Sequence, residues 1–94
     1  MNIPPITHDA EHSRFTAETQ FGQAALEYMR DRKRMIFTHT GVPSEVEGQG
    51  IGAALARAGL DYARSEGLTV RPMCPFVADY VKRHPEYQSL VGEG

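Results

Sequence analysis

The first half of the chain alternates apolar and polar residues with a period of two. Over residues 13–18, Phe15 and Ala17 fall on one side and Arg14, Thr16 and Glu18 on the other, the pattern of a half-buried strand. After a turn at residues 19–22, alternation resumes over residues 23–30 with Ala24, Leu26 and Tyr28 on one face. The charged turn Asp31-Arg32-Lys33 leads into residues 34–42. There Met35, Phe37 and His39 share one face, and Ile36, Thr38 and Thr40 the other. Connections this short predict an antiparallel three-strand meander.

The period then changes. After a loop over residues 43–49, apolar residues recur at Ile51, Ala54, Leu55, Ala58 and Tyr62, the stripe of an amphipathic helix starting at residue 50. Gly59 interrupts this helix at a cost of about 1 kcal/mol relative to Ala, and Gly67 stands where a left-handed residue would stop it. Residues 68–71 form a fourth strand. Pro75 favours the first position of a second helix, whose periodicity runs through Phe76, Val77, Tyr80, Val81 and His84 until Pro85 ends it. The strand–helix–strand crossover between the third and fourth strands makes that pair parallel. The expected class is therefore α+β, with a mixed α/β sheet: an antiparallel three-strand meander, a parallel fourth strand and two main helices. Residues 1–12, with adjacent prolines, read as a flexible lead-in, residues 13–91 as one domain, and residues 92–94 as a frayed tail.

Composition narrows the partners. The sequence has 94 residues and a formal net charge of −2, enough for one domain. The balanced charge argues against nucleic acid, whose phosphates need clustered Lys and Arg. No apolar run approaches the roughly 20 residues of a membrane span, and the start of the chain lacks the basic and apolar regions of a secretory signal. The one cysteine, Cys74, excludes an internal disulfide and makes a reducing, cytoplasmic compartment the expectation. His8 and His12 have no metal-site spacing, so no metal is expected. A monomer or weak dimer is anticipated.

The chemistry concentrates at Glu47-Gly48-Gln49-Gly50-Ile51-Gly52-Ala53. Alternating glycines at a strand–helix junction let a ligand approach the peptide N–H groups, and the helix start adds free donors and partial positive charge, together an anion site. A Walker A loop would end in Gly-Lys-Ser/Thr, which is absent. A dinucleotide fingerprint, Gly48-x-Gly50-x-x-Ala53, would need an acidic residue near the end of the next strand, where Pro72 and Met73 stand. A coenzyme A diphosphate loop and a plain glycine-rich turn into a helix remain. Pro43 and Pro72, near the C-terminal ends of the parallel pair, cannot donate ladder hydrogen bonds, so the pair should splay there.

Three motifs in order, Thr38-His39-Thr40-Gly41-Val42-Pro43 through Gly52, then Cys74-Pro75-Phe76-Val77, then Arg83-His84-Pro85-Glu86-Tyr87, resemble a family of very small GNAT-like (N-acetyltransferase superfamily) proteins over nearly the whole chain. The resemblance implies a reduced GNAT fold that binds acetyl-CoA. It implies that the N–H groups of Gly48, Gln49, Gly50, Ile51, Gly52 and Ala53 face the diphosphate. The splayed pair gives its own reason for a slot, since it leaves backbone groups such as those of Thr40 and Val42 free to bond the amides of a pantetheine arm. Glu47 falls where the superfamily pattern has Arg or Gln, and is expected to turn outward. Phe76 and Tyr80, one turn apart, read either as core or as lining of the pantetheine slot. Arg83, with Lys82 and His84, reads either as a solvated basic helix end or as a contact for the nucleotide end of the cofactor.

Cys74 precedes the helix-starting Pro75, and a helix N-terminus makes a thiolate more available. His39 lies toward the same end of the sheet and could serve as base. The resemblance likewise implies Cys74 and His39 as the catalytic residues. Cys74 as a small buried hydrophobe, and His39 as a satisfied side chain on a half-buried strand, are the competing readings. Acetyl transfer to an amine, on a protein lysine or a small molecule, is the expected function. A non-catalytic CoA or acyl-CoA binding module, or a partner-binding domain with a vestigial loop, are the alternatives.

Overall fold

A computed structural model describes residues 3–92. Its five strands lie in chain order: β1 (Thr7–Asp9), β2 (Arg14–Thr19), β3 (Gly22–Asp31), β4 (Arg34–Gly41) and β5 (Thr69–Pro72). The first four are antiparallel neighbours and β4–β5 is parallel. Between β4 and β5 runs helix α1 (Ile51–Ser65). Helix α2 (Pro75–Arg83) follows β5, and a 3₁₀ segment, Pro85–Leu90, closes the fold.

The meander, the parallel strand and both helices stand as the periodicity predicts. Gly67, in the left-handed region at φ 68°, stops α1. Leu68 N–H reaches back to Ala63 C=O at 2.9 Å, the closing bond of a Schellman motif. Pro75 opens α2 with Cys74 as its N-cap.

The lead-in expectation needs correcting. Residues 7–9 add a fifth strand, in register Thr7↔Thr16 through Asp9↔Arg14. Side-chain contacts hold this short edge strand. The His8 ring stacks on Phe15 at 4.1 Å and its Nε2 shares a 2.7 Å hydrogen bond with Tyr28 Oη. The Asp9 carboxylate accepts from Arg14 Nε at 3.1 Å. The tail is similarly tied as far as Gly92, whose N–H donates to Val70 C=O at 3.1 Å. Met1 and Asn2 of the expected lead-in, and Glu93 and Gly94 of the expected tail, lie outside the described residues.

One hydrophobic cluster joins the inner face of the sheet to both helices and to Tyr87. The buried face of α1 is Ile51, Leu55, Ala56, Gly59, Leu60 and Ala63, rotated from the predicted stripe, so Ala54, Ala58 and Tyr62 sit at its margin. Gly59 is the reason. A methyl group there would lie 2.8 Å from Phe37 Cε1 and 3.2 Å from Leu26 Cδ2. The glycine that weakens the helix locally is what lets the helix backbone lie against the sheet.

Candidate functional site

The site begins where β4 loses its partner. The β4–β5 ladder runs from Arg34↔Thr69 to Phe37↔Pro72 and stops. Pro72 has no N–H to continue it, and the chain turns away so that Cys74 N–H donates to Phe37 C=O at 2.9 Å. Among the described residues, positions 38–41 of β4 therefore have no β5 neighbour. The gap opens at Pro72, one of the two prolines from which it is expected, while Pro43 lies beyond the end of β4.

Beyond β4 the chain makes a 3₁₀ turn, Ser44–Val46, anchored by buried Val46. It then enters α1 through Gly48 at φ 81° and Gly50 at φ 91°. Both angles suit glycine and strain other residues. The first helical bond is Ala54 N–H to Gly50 C=O at 3.0 Å, so the N–H groups of Ile51, Gly52 and Ala53 precede any intrahelical acceptor. No side chain caps them, and no acidic residue stands in the first turn. These amides border a cleft of ≈ 440 Å³ that continues along Val42 to Thr40. An uncapped helix start opening on a cleft suits an anionic ligand such as a diphosphate. A slot beside an unpaired strand edge suits an arm carrying amides, since the free backbone groups still need partners.

Most of the predicted ligand residues meet here. Thr40, Val42, Gly48, Gly50, Ile51, Gly52, Ala53 and Phe76 line the cleft; Gln49 does not. Phe76 is 43% exposed, which sets aside its core reading. Its ring lies over the first turn of α1, where a Cβ on Gly52 would be 2.8 Å from Phe76 Cζ. Gly52 is thus a seat for the ring that walls the cleft. Tyr80 and Arg83 line an adjoining hollow of ≈ 300 Å³ that shares Ala53 and Phe76 with the cleft. There Tyr80 stacks on His84 at 3.9 Å and burial pushes its phenol above the ordinary range. Arg83 pairs with Asp79 at 2.9 Å. Sequence reasoning missed Val46. Glu47, expected to turn outward, is exposed and stands at the rim of the cleft.

Cys74 and His39 are not brought together. Cys74 is 3% exposed, and its Sγ shares a 3.2 Å hydrogen bond with Thr40 Oγ1, placing the thiol behind the cleft wall. His39 is on the other face of the sheet. The cause is a register shift between Glu27 and Tyr28: Tyr28 pairs with Phe37, but Glu27 pairs with His39. Thr38 is the extra residue of a β-bulge, its hydroxyl donating to Glu27 C=O at 3.2 Å. A bulge reverses the facing of everything beyond it. Hence Met35 and Phe37 point into the core, His39 points out, and Thr40 points back in toward Cys74. The expectation that His39 shares the Met35–Phe37 face, within reach of the thiol, is corrected on this ground. His39 instead lines an open-face cavity of ≈ 470 Å³ with Glu27, Gly41 and Val42.

Comparison with known proteins agrees with this architecture. The family model described as GCN5-related N-acetyl-transferase matches residues 14–90. An NMR solution structure of a GCN5-like candidate N-acetyltransferase from Staphylococcus aureus is similar at a TM-score of 0.75 and 25% identity, over 100% of this chain and 93% of that one.

Proposed function

The chain belongs to the GCN5-related N-acetyltransferase family, and we propose that it transfers an acetyl group from acetyl-CoA to an amine. The observation that carries the reading is the continuous cleft from the uncapped start of α1 to the unpaired edge of β4. Acetyl-CoA supplies an activated thioester. The residues of the chain do the rest. The N–H groups of Ile51, Gly52 and Ala53, with the turn at Gly48 and Gly50, bind the diphosphate. The β4 edge and Val42 align the arm, Phe76 covers it, and Tyr80 and Arg83 flank the nucleotide end. His39, exposed on the far side of the same strand edge, takes the proton of the incoming amine.

Burial of Cys74 behind Thr40 favours direct attack by the amine over an acetyl-cysteine relay, because a thiol nucleophile must be reachable. In this reading Cys74 orients the Thr40 hydroxyl at the cleft. One free cysteine is consistent with a reducing, cytoplasmic compartment, which we propose together with a monomeric or weakly dimeric state. No helix of the described residues is long and apolar enough to cross a membrane.

Calorimetric titration with acetyl-CoA and with pantetheine, combined with acetyl-transfer assays, tests the reading. Acetyl-CoA should bind and pantetheine bind far more weakly, since it lacks the diphosphate. Cys74→Ala should retain transfer with no acetylated enzyme in intact-mass spectra, while His39→Ala should keep binding and lose rate. Absence of acetyl-CoA binding sinks the proposal. Binding with no transfer from any variant, the unmodified chain included, would leave the non-catalytic CoA-binding module, the reading favoured by the lack of a thiol–imidazole pair.

A further inference from the structure

The chain before β1 reaches the entry turn of the cleft. Thr7 pairs with Thr16, Thr16 with Ala25, and Ala25 with Gly41. Residues 3–6 therefore leave the sheet at the end where β4 gives way to the glycine-rich turn. Ile6 packs against the hydrophobic cluster. Pro4 and Pro5, with fixed φ and no N–H, cannot extend the β1 ladder and form a stiff spacer. Beyond them is Ile3, 40% exposed, whose Cδ1 lies 3.3 Å from where a Cβ on Gly50 would stand.

That contact falls where the turn has little else to hold it. Buried Val46 anchors the chain before the turn, and the Gly50 carbonyl accepts the first helical bond after it. Among the described residues, no backbone hydrogen bond fixes the N–H groups of Gly48, Gln49 or Gly50, and a Cβ on Gly48 would meet nothing within 4 Å. Gly48 and Gly50, both in the left-handed region, leave this turn many alternative shapes. That freedom is lost when a ligand binds. Ile3 does not line the cleft, so it bears on Gly50 from outside and leaves the space within for a ligand.

We propose that Ile3 is a positioning residue for the cofactor: it backs Gly50 and holds the entry turn in its diphosphate-binding shape before acetyl-CoA arrives. The inference rests on the acetyl-CoA reading of the cleft and adds to it a residue outside the cleft. Strand β1 gives Ile3 its purchase. His8, stacked on Phe15 and bonded to Tyr28 Oη, fixes the place of the strand, and the two prolines carry that place to Ile3. Ile3 touches neither the diphosphate nor the thioester and acts through Gly50. A turn shaped in advance loses less freedom on binding, so the contact shows in affinity for diphosphate-bearing ligands and not in the chemical step.

The test compares Ile3→Ala, which removes Cδ1, and Ile3→Leu, which keeps δ carbons, with the unmodified chain. By calorimetry Ile3→Ala should bind acetyl-CoA roughly three- to tenfold more weakly, the size expected for ordering one or two groups on binding. Pantetheine, which lacks the diphosphate, should bind Ile3→Ala and the unmodified chain alike. Ile3→Leu should recover most of the lost affinity. In acetyl-transfer assays Ile3→Ala should raise KM for acetyl-CoA and leave kcat and the acceptor KM unchanged. Its Tm should move by less than about 4 °C, as for a surface substitution. In ligand-free ¹⁵N-labelled protein, the amide order parameters of Gly48, Gln49 and Gly50 should fall in Ile3→Ala and hold in Ile3→Leu. Unchanged acetyl-CoA affinity in Ile3→Ala, or a loss shared equally by pantetheine, overturns the assignment while acetyl-CoA binding by the unmodified chain still stands. If the unmodified chain does not bind acetyl-CoA, the cofactor reading falls instead. The order parameters then still decide whether Ile3 steadies the turn, and unchanged values overturn it.

Discussion

Replacing Gly59 by Ala sets two opposing terms against each other, and the structure decides which wins. In an isolated helix the change stabilises by about 1 kcal/mol, because alanine loses less backbone entropy than glycine. Here the new methyl would sit 2.8 Å from Phe37 Cε1, 3.0 Å from Phe37 Cζ and 3.2 Å from Leu26 Cδ2. Phe37 and Leu26 are fully buried, so neither can swing into solvent, and α1 must lift from the sheet. Overpacking of a dense core costs typically 1–3 kcal/mol, and the closeness of two ring atoms argues for the upper half of that range. The net expectation is destabilisation by about 1–2 kcal/mol. For a domain of this size each kcal/mol lowers Tm by roughly 4–8 °C. Gly52→Ala is the internal control. Its methyl would meet Phe76 Cζ at the same 2.8 Å, but Phe76 is half-exposed and can rotate away. Stability should change by less than about 0.5 kcal/mol, while acetyl-CoA affinity falls because the wall of the cleft has moved. Urea denaturation followed by circular dichroism gives the first quantity and calorimetry the second. A Gly59→Ala protein as stable as the parent, or more so, would refute the claim that this glycine is required by helix–sheet contact.

Two further outcomes follow from individual side chains. Glu47→Gln should tighten CoA binding by about two- to fivefold, more at low salt than at high, because it removes a carboxylate bordering an anion site in a solvent-screened position. Unchanged affinity at low salt would mean that Glu47 lies out of range of the bound diphosphate. The second concerns pH. Desolvation by burial depresses the His8 pKa below its usual value of 6.5, against the opposing pull of Asp9. The unfolded chain then binds more protons than the folded one, so stability is complete above pH 6.5 and declines as pH falls below it. His8→Gln should flatten this decline between pH 6.5 and 5 in a Tm-versus-pH series. A slope equally steep in the variant would assign it to another group.

Most of the elements are legible along the chain, because these are written in local terms. Alternation marks β2, β3 and β4, the 3.6-residue period marks α1 and α2, and Gly67, Pro72 and Pro75 mark ends and starts through their own backbone limits. The glycine-rich entry to α1, and with it most of the cleft lining, was readable for the same reason: the requirement sits in the backbone of the residues concerned. β1 was not, since His8 counts as polar along the chain and becomes an inner residue only by stacking on Phe15 and bonding Tyr28. Nor was the role of Gly59, which is a property of its distance to Phe37. Above all, tertiary pairing decided the facing of His39. In an unbroken strand it follows Phe37 into the core face toward Cys74, and one extra residue at Thr38 against Glu27 sends it outward. Alternation along one strand fixes only which residues share a side. Which side that is, and where it reverses, depends on the neighbouring strand and on the helices that bury one face.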